Sequence, residues 1–159
     1  MGDDLTLLTF TLDQVWYGLN VREIQEVVPL PQLTPLAKAP SSVSGIFNLR
    51  GRIVTAIDLR RRLGLRSCPW NAKNAVLIIP LKEKLYGLIV DQALSLIPLS
   101  TREMEPVPDL SSVAGVQDGF FLGVKKLDGR LIPILNLERV LTAAESAELK
   151  EQQFKESHE

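Results

Sequence analysis

Few residues of this sequence have side chains that could support nucleophilic, acid–base or metal-binding chemistry. The one histidine, His158, and the one cysteine, Cys68, are far apart in the chain. A nucleophile needs a base within hydrogen-bond reach, and a metal site needs a cluster of ligands at fixed spacing. The glycine-rich motifs GxGxxG and GxxxxGK[ST], which cradle phosphates, do not occur. We therefore predict no catalytic residue, no metal site and no cofactor, and a protein that is not an enzyme.

The carboxylates can be judged against an internal repeat. Tyr17-Gly18-Leu19 recurs 69 residues later as Tyr86-Gly87-Leu88, and Ser41-Ser42-Val43 with Gly45 recurs 70 residues later as Ser111-Ser112-Val113 with Gly115. Gly51-Arg52-Ile53-Val54 recurs 78 residues later as Gly129-Arg130-Leu131-Ile132. The change in offset predicts an insertion between Gly115 and Gly129. Two similar units predict two similar lobes.

Two of the carboxylates lose their acidic character in the other copy of the repeat. Asp58 corresponds to Asn136, and Asp91 corresponds to Arg22. A catalytic site built on the duplication would keep its carboxylate in both copies. We interpret Asp58 as a helix N-cap, a role that Asn fills equally well.

The composition is that of an ordinary soluble globular protein, with 45% hydrophobic and 23% charged residues and a net charge of −1. Arg60-Arg61-Arg62 with Arg66 is the nearest approach to a basic patch, and we interpret it as a solvated helix face. The single cysteine agrees with a reducing compartment, and no apolar run is long enough to span a bilayer. We expect a cytoplasmic protein with no direct membrane insertion and no nucleic-acid partner.

The pattern of apolar residues and turn signals predicts a mainly β fold. Leu5 to Leu12 and Val15 to Val21 form a hairpin, whereas Arg22 to Val28 is compatible with a helix or a third strand. Ser41-Ser42 predicts a short helix through Phe47, and Asn48-Leu49-Arg50-Gly51 predicts a turn. Further strands are predicted at residues 53–57, 75–80, 85–90, 94–99, 120–126 and 131–135, the first of them buried on both faces.

Helices are predicted to be short except at the end of the chain. Asp58 begins a helix that carries the arginines and ends at Gly64, and Asp128-Gly129 marks a tight hairpin. The sequence from Glu138 onward, rich in Ala, Glu, Leu and Lys, predicts a C-terminal helix that includes a tail over 142–159. We place the two lobes at about residues 15–66 and 75–141 of a single domain, and strands can be exchanged between them.

One series of motifs resembles a known family. The motifs are Asn48-Leu49-Arg50-Gly51 and Ile57-Asp58-Leu59-Arg60, with Ile24-Gln25-Glu26-Val27 upstream and Ile134-Leu135-Asn136-Leu137 downstream. With them, the sequence from about Thr9 to Leu141 resembles the CheW family of chemotaxis coupling proteins. The resemblance implies two SH3-like five-stranded barrels. It also implies a non-enzymatic adaptor between the cytoplasmic tips of chemoreceptors and the regulatory domain of the histidine kinase CheA, located at membrane-attached receptor arrays. Other CheW-like domains are further implied partners.

The same resemblance implies the interaction residues. Ile24, Glu26 and Val28 match a segment involved in receptor contact, and Arg50 falls where the family has an arginine important for signalling. Gly45 and Gly51 match glycines that hold the Arg50 turn, and the remaining residues of the matched segments that we assign to the interaction site are Asn48, Asp58 and Arg60. The alternatives are core filling for Ile24 and Val28, a solvated charge for Glu26 and a salt bridge between lobes for Arg50.

A different class of function also fits a small barrel. Such folds commonly bind nucleic acid or small molecules. That alternative requires a salt-sensitive interaction or a shaped pocket near Arg60 to Arg66.

Overall fold

The computed structural model describes residues 4–66, 68–108 and 119–141, and its regular structure is almost entirely β. The strands are β1 (Asp4–Leu12), β2 (Val15–Asn20), β3 (Glu26–Pro29), β4 (Val43–Leu49), β5 (Arg52–Asp58), β6 (Ala75–Leu81), β7 (Lys84–Val90), β8 (Gln92–Ser100), β9 (Phe121–Leu127) and β10 (Arg130–Leu135). One short helix, α1 (Leu59–Arg62), two 3-10 turns (Val21–Glu23 and Thr101–Glu103) and helical residues 137–141 complete the described elements. The predicted mainly β class with two five-stranded units is confirmed.

The ten strands form two sheets of five with the same internal plan. Sheet A has the order β8-β1-β2-β10-β9, and sheet B has the order β3-β6-β7-β5-β4. If β1–β5 is matched to β6–β10, one order converts into the other. Each sheet therefore takes its first hairpin from one repeat unit and its other three strands from the other unit. The two parts of sheet A join through an antiparallel pairing of β1 with β8 and a parallel pairing of β2 with β10. Those of sheet B join in the same way, β3 with β6 antiparallel and β5 with β7 parallel.

Four hairpins share one turn geometry. The two residues at each tip both have positive φ: Asp13 and Gln14, Arg50 and Gly51, Lys82 and Glu83, and Asp128 and Gly129. Two-residue turns of this kind match the right-handed twist of the strands they connect. The hairpin predicted at Asp128-Gly129 is confirmed, and the turn after β4 consists of Arg50 and Gly51 alone because Asn48 and Leu49 belong to the strand.

The core is divided into three clusters. The largest combines side chains of both sheets, such as Phe10 from β1 and Leu88 from β7, and therefore joins the sheets to each other. A second cluster lies within sheet B and a third within sheet A. In β6, Val76 and Ile78 contact the sheet B cluster while Leu77 contacts the shared one, so this strand is buried on both faces.

A glycine lies at the corresponding place of the parallel pairing in each sheet. Gly87 pairs with Ala56, and Gly18 pairs with Ile134 at the corresponding place. A Cβ on Gly87 would lie 2.5 Å from Cγ1 of Val76, and one on Gly18 would lie 3.1 Å from Cδ1 of Leu7. The repeat of the Tyr-Gly-Leu motif therefore has a packing reason, since only glycine leaves room for the side chain of the neighbouring strand.

Three sequence expectations about the first unit are corrected. Residues 41–47 do not form a helix, because Val43, Gly45 and Phe47 are buried alternately and pair with β5 as β4. Ile53 is 67% exposed, so the strand at 53–57 is not buried throughout; pairing with β7 begins only at Val54.

The third correction concerns the residue of the second unit that corresponds to Gly45. Gly45 pairs with Ala56 just after a bulge in β4, and Gly123 pairs with Ile134 just after a bulge in β9. Gly123, rather than Gly115, is therefore the structural counterpart of Gly45. The insertion of the second unit accordingly lies before Gly123.

The remaining open predictions have simple outcomes. The stretch from Arg22 to Val28, predicted as a helix or a strand, contains parts of both: the 3-10 turn Val21–Glu23 and the short strand β3. Asp58 begins α1 as predicted, and Gly64, with φ +79°, follows its end. The predicted helical tail at 142–159 lies outside the described residues.

Candidate functional site

An ion pair between Glu26 and Arg50 forms the centre of the candidate site. One guanidinium nitrogen of Arg50 donates to both carboxylate oxygens of Glu26, each at 2.5 Å. The side chains are 65% and 29% exposed, respectively. Glu26 begins β3 and Arg50 follows β4, so the pair connects the two edge strands of sheet B. It presents one acidic and one basic group to solvent side by side.

The backbone around Arg50 is fixed by a side chain of the same turn. Oδ1 of Asn48 accepts a hydrogen bond of 2.9 Å from the amide of Gly51. Arg50 itself has φ +49°, a left-handed conformation that is unfavourable for a residue with a Cβ. The Asn48 contact stabilises this turn and holds the Arg50 side chain at its tip.

Apolar residues lie near both members of the ion pair in the sequence. Ile24 and Val28 are half-buried, the first against the shared core and the second against the core of sheet B. Their neighbour Val27 is 42% exposed, and Ile53, in the hairpin of Arg50, is 67% exposed. Ile24 and Val28 thus pack against the core and keep some accessible surface, and their contact with a receptor stays a prediction.

Gly45 lies apart from the Arg50 turn. It is at the other end of β4, with φ +149°, where Thr34 pairs with Ile46 through two hydrogen bonds. A Cβ at Gly45 would lie 2.5 Å from the backbone oxygen of Thr34. Gly45 therefore leaves room for the connection after β3 to pair with β4. It does not hold the Arg50 turn, which corrects the role expected from the sequence.

Asp58 is the N-cap of α1. Its Oδ1 accepts from the amide of Arg61 at 3.3 Å, and Asn136 accepts from the amide of Arg139 at 3.4 Å in the other unit. Asp58 is 3% exposed, and burial raises the pKa of its carboxyl above the ordinary value, although the hydrogen bond and charge of Arg61 act in the opposite direction. Its geometry is that of a cap.

Arg60 is engaged inside the protein. Its Nε donates to Oδ1 of Asp91 at 2.7 Å, a second guanidinium nitrogen also bonds this carboxylate, and a third reaches the carbonyl of Arg66 at 3.2 Å. Only 10% of the Arg60 side chain is exposed, and the bonds to Asp91 raise its pKa further. Asp91 also accepts from the amide of Asp13 at 2.7 Å, which ties α1, β7 and the first hairpin together.

The other arginines of the run also have partners. Nε of Arg61 lies 3.6 Å from Asp58, and a guanidinium nitrogen of Arg66 lies 3.9 Å from Asp13. The Arg62 guanidinium stacks 4.7 Å above the Phe120 ring and donates to the carbonyl of Val140 at 3.2 Å. Burial lowers the pKa of Arg62, with a smaller effect from Arg139. The prediction of a solvated helix face is therefore wrong for Arg60 and Arg62.

A cavity of about 430 Å³ opens beside this helix. Asp58, Arg61, Cys68 and Trp70 line it together with residues between Pro35 and Ser44. It is the kind of shaped space that the small-ligand alternative requires. Within residues 4–66, 68–108 and 119–141, no group of three or more His, Cys, Asp or Glu residues is placed to hold a metal ion. Over the same part of the chain, no helix is long and apolar enough to cross a membrane.

Comparison with known proteins gives a consistent result. The model of the CheW-like domain matches residues 6–145. The chemotaxis protein CheW of Rhizobium meliloti is 27% identical over 139 residues, which cover 87% of this chain and 88% of that protein, and that of Thermotoga maritima is 27% identical over 138 residues with the same coverage. The crystal structure of the scaffolding protein TtCheW from Thermoanaerobacter tengcongensis superposes with a TM-score of 0.76, at 30% identity and 86% coverage of each chain.

Proposed function

The chain belongs to the CheW family of chemotaxis scaffold proteins, which are not enzymes, and from that premise we propose that it couples chemoreceptors to the histidine kinase CheA. The observation that carries the proposal is the solvent-facing pair of Glu26 and Arg50 at the edge of sheet B. Arg50 is the arginine of the matched Asn-Leu-Arg-Gly turn, and its side chain is 65% exposed to solvent. A charge held on a fixed turn but left exposed is available to a partner.

The receptor is the partner that we assign to the Glu26 and Arg50 surface. A receptor tip is a helical hairpin, and a helix places an apolar ridge and flanking polar groups on one face. The half-buried Ile24 and Val28 can accept such a ridge. Arg50 then gives planar, directional hydrogen bonds to an acidic or carbonyl group of the receptor, and Glu26 fixes its orientation.

The kinase is the second proposed partner. The regulatory domain of CheA is itself similar to CheW, and we assign it, with other CheW-like domains, to surfaces away from the Arg50 turn. We propose that each individual contact of this protein is modest in affinity. In an array attached to the membrane by its receptors, several linked contacts raise the effective concentration of each binding site and stabilise the assembly.

Co-purification from the host tests this function. Tagged wild-type protein, Arg50→Ala and the matched control Arg52→Ala are used in parallel under conditions that keep arrays soluble, and the retained proteins are identified by mass spectrometry. Arg52 is in the same hairpin, but its guanidinium bonds the carbonyl of Glu83 at 3.2 Å. We expect wild type and Arg52→Ala to retain chemoreceptors and a histidine kinase, and Arg50→Ala to lose the receptors. Retention of neither protein by the wild type would refute the proposal.

A small-molecule or nucleic-acid function is the second candidate, and the cavity beside Arg61 is the observation that favours it. Against a nucleic-acid partner, each of Arg60, Arg61, Arg62 and Arg66 already has an acidic, aromatic or carbonyl partner. A titration with a fluorescent oligonucleotide at low salt tests the nucleic-acid form. We expect no binding, and binding that weakens with added salt would favour this candidate over the adaptor.

A further inference from the structure

A second groove, whose lining includes neither Glu26 nor Arg50, has no role in the proposed function. Its volume is about 400 Å³, and it lies between the 3-10 turn Val21–Glu23, the end of the β6–β7 hairpin and the helical residues 137–141. The lining is mainly apolar, from Ile79, Pro80, Leu81, Leu137 and Leu141, and the charged lining residues are Arg22, Glu23, Lys82 and Glu138. Partial burial raises the pKa of the Glu23 carboxyl above its ordinary value, although the residue remains exposed.

The path of the chain identifies an occupant. Leu141, the last described residue, is part of the groove wall and is 1% exposed. The sequence continues from there with residues 142–159, in which Leu149 and Phe154 are the large apolar side chains. We propose that this groove is the docking site of the segment 142–159 of the same chain.

Two arguments favour this occupant over a separate protein. Leu149 is eight residues beyond Leu141, and eight residues reach at most about 28 Å, several times the width of a groove of this size. A segment attached at the groove wall also has an effective local concentration on the order of millimolar, so even a weak apolar contact is populated without any partner.

Docking of the segment has a consequence for the neighbouring surface. Arg22 and Glu23, which line the groove, directly precede Ile24 and Glu26 in the chain. A segment bound against them restrains the 3-10 turn and the start of β3. The docking itself does not depend on the proposed receptor contact, because the two surfaces have different residues.

Photo-crosslinking in the full chain tests the proposal. A benzoylphenylalanine residue replaces Leu81 in the groove or, as a control, the 45% exposed Leu36, which is outside it. Mass spectrometry of the cross-linked peptides is expected to find residues 142–159 joined to position 81 within one chain, at a yield independent of protein concentration. Cross-links that join two chains, or that never include residues 142–159, would overturn the proposal.

Hydrogen exchange gives a second test that leaves the groove itself unaltered. The double variant Leu149→Asp/Phe154→Asp is compared with Leu122→Asp, an exposed position on β9 that serves as the control. We expect the double variant to increase deuterium uptake in residues 21–25 and 79–82 at least twofold, with no change elsewhere, and the control to leave these regions unchanged. Equal uptake in the wild type and the double variant would contradict docking.

Discussion

Arg50 and Glu26 are joined by two hydrogen bonds although 24 residues separate them and they belong to opposite edges of sheet B. The connection after β3 also pairs with β4 at Thr34 and Ile46, so the edges are linked at two places. Because most of the Arg50 side chain is exposed, the ion pair contributes only about 0–1 kcal/mol to stability. A small contribution to stability agrees with the recognition role that we propose for the pair.

Replacing either member of the pair is expected to abolish kinase coupling and to leave the fold intact. Arg50→Ala removes the exposed guanidinium, and Glu26→Lys reverses the charge beside it. We expect the melting temperature of both variants to remain close to that of the wild type because the pair is largely solvated. Receptor-stimulated kinase activity in a reconstituted array and calorimetry provide the two measurements, and two unfolded variants would refute the site assignment.

Asp91 is expected to contribute strongly to stability because its carboxylate pairs with a buried guanidinium. Asp91→Ala leaves the Arg60 guanidinium, 10% exposed, without its carboxylate and should lower the free energy of unfolding by about 3 kcal/mol. Arg66→Ala is the control, because its contact of 3.9 Å is exposed and should change stability by less than about 0.5 kcal/mol. Urea unfolding measures both, and equal effects would show that the buried pair has no special role.

The cap at Asp58 predicts a difference between two substitutions. Asp58→Asn keeps the acceptor for the amide of Arg61, as Asn136 does in the other unit, whereas Asp58→Ala removes it and should destabilise the protein by about 1 kcal/mol. Denaturant unfolding at neutral pH distinguishes them. A similar loss in both variants would mean that the charge, rather than the cap, is required.

Asp58 also predicts a pH dependence. Since burial raises the pKa of its carboxyl above 3.8, the folded protein binds this proton more tightly than the unfolded chain. The favourable contribution of the protonated form is therefore present below 3.8 and is lost as the pH rises through the higher folded-state pKa. We expect the stability of Asp58→Asn relative to wild type to increase across that interval, and a constant difference would contradict the shift.

The two glycines at the parallel pairings should differ in their tolerance of a methyl group. Gly87→Ala places Cβ 2.5 Å from the buried side chain of Val76 and should destabilise the fold by roughly 1–3 kcal/mol. Gly18→Ala meets Leu7 at 3.1 Å and should have a smaller effect. Thermal unfolding of the two variants, and of Gly87→Ala combined with Val76→Ala, tests this. If the contact is the cause, the loss in the double variant should be smaller than the sum of the losses in Gly87→Ala and in Val76→Ala alone.

Local signals in the sequence predicted the strands and most of the turns, because the alternation of apolar residues and the Asp128-Gly129 pair act over a few positions. They failed at Ser41-Ser42, where a capping signal was weaker than the pairing of β4 with β5. Tertiary pairing of a buried strand outweighs a local helix signal of this kind.

Long-range pairs were harder to predict. The sequence indicates Glu26 and Arg50 separately as interaction residues, and only their opposite charges suggest that they could form an ion pair. Arg60 was assigned to the interaction site, whereas Asp91, its partner 31 residues away, was set aside because the repeat places Arg22 at the corresponding position. Arg60 follows β5 and Asp91 follows β7, and these two strands are parallel neighbours, so the opposite charges just beyond their ends were the available signal for this pair.

The exchange of hairpins between the two repeat units also determines when the protein can fold. Leu5 on β1 pairs with Leu99 on β8, so the first strands to leave the ribosome wait for partners synthesised almost a hundred residues later. At typical rates of translation that interval is roughly 5–20 s. The duplication is therefore not a pair of independently folding halves, and neither repeat unit can complete a sheet until the other has been made.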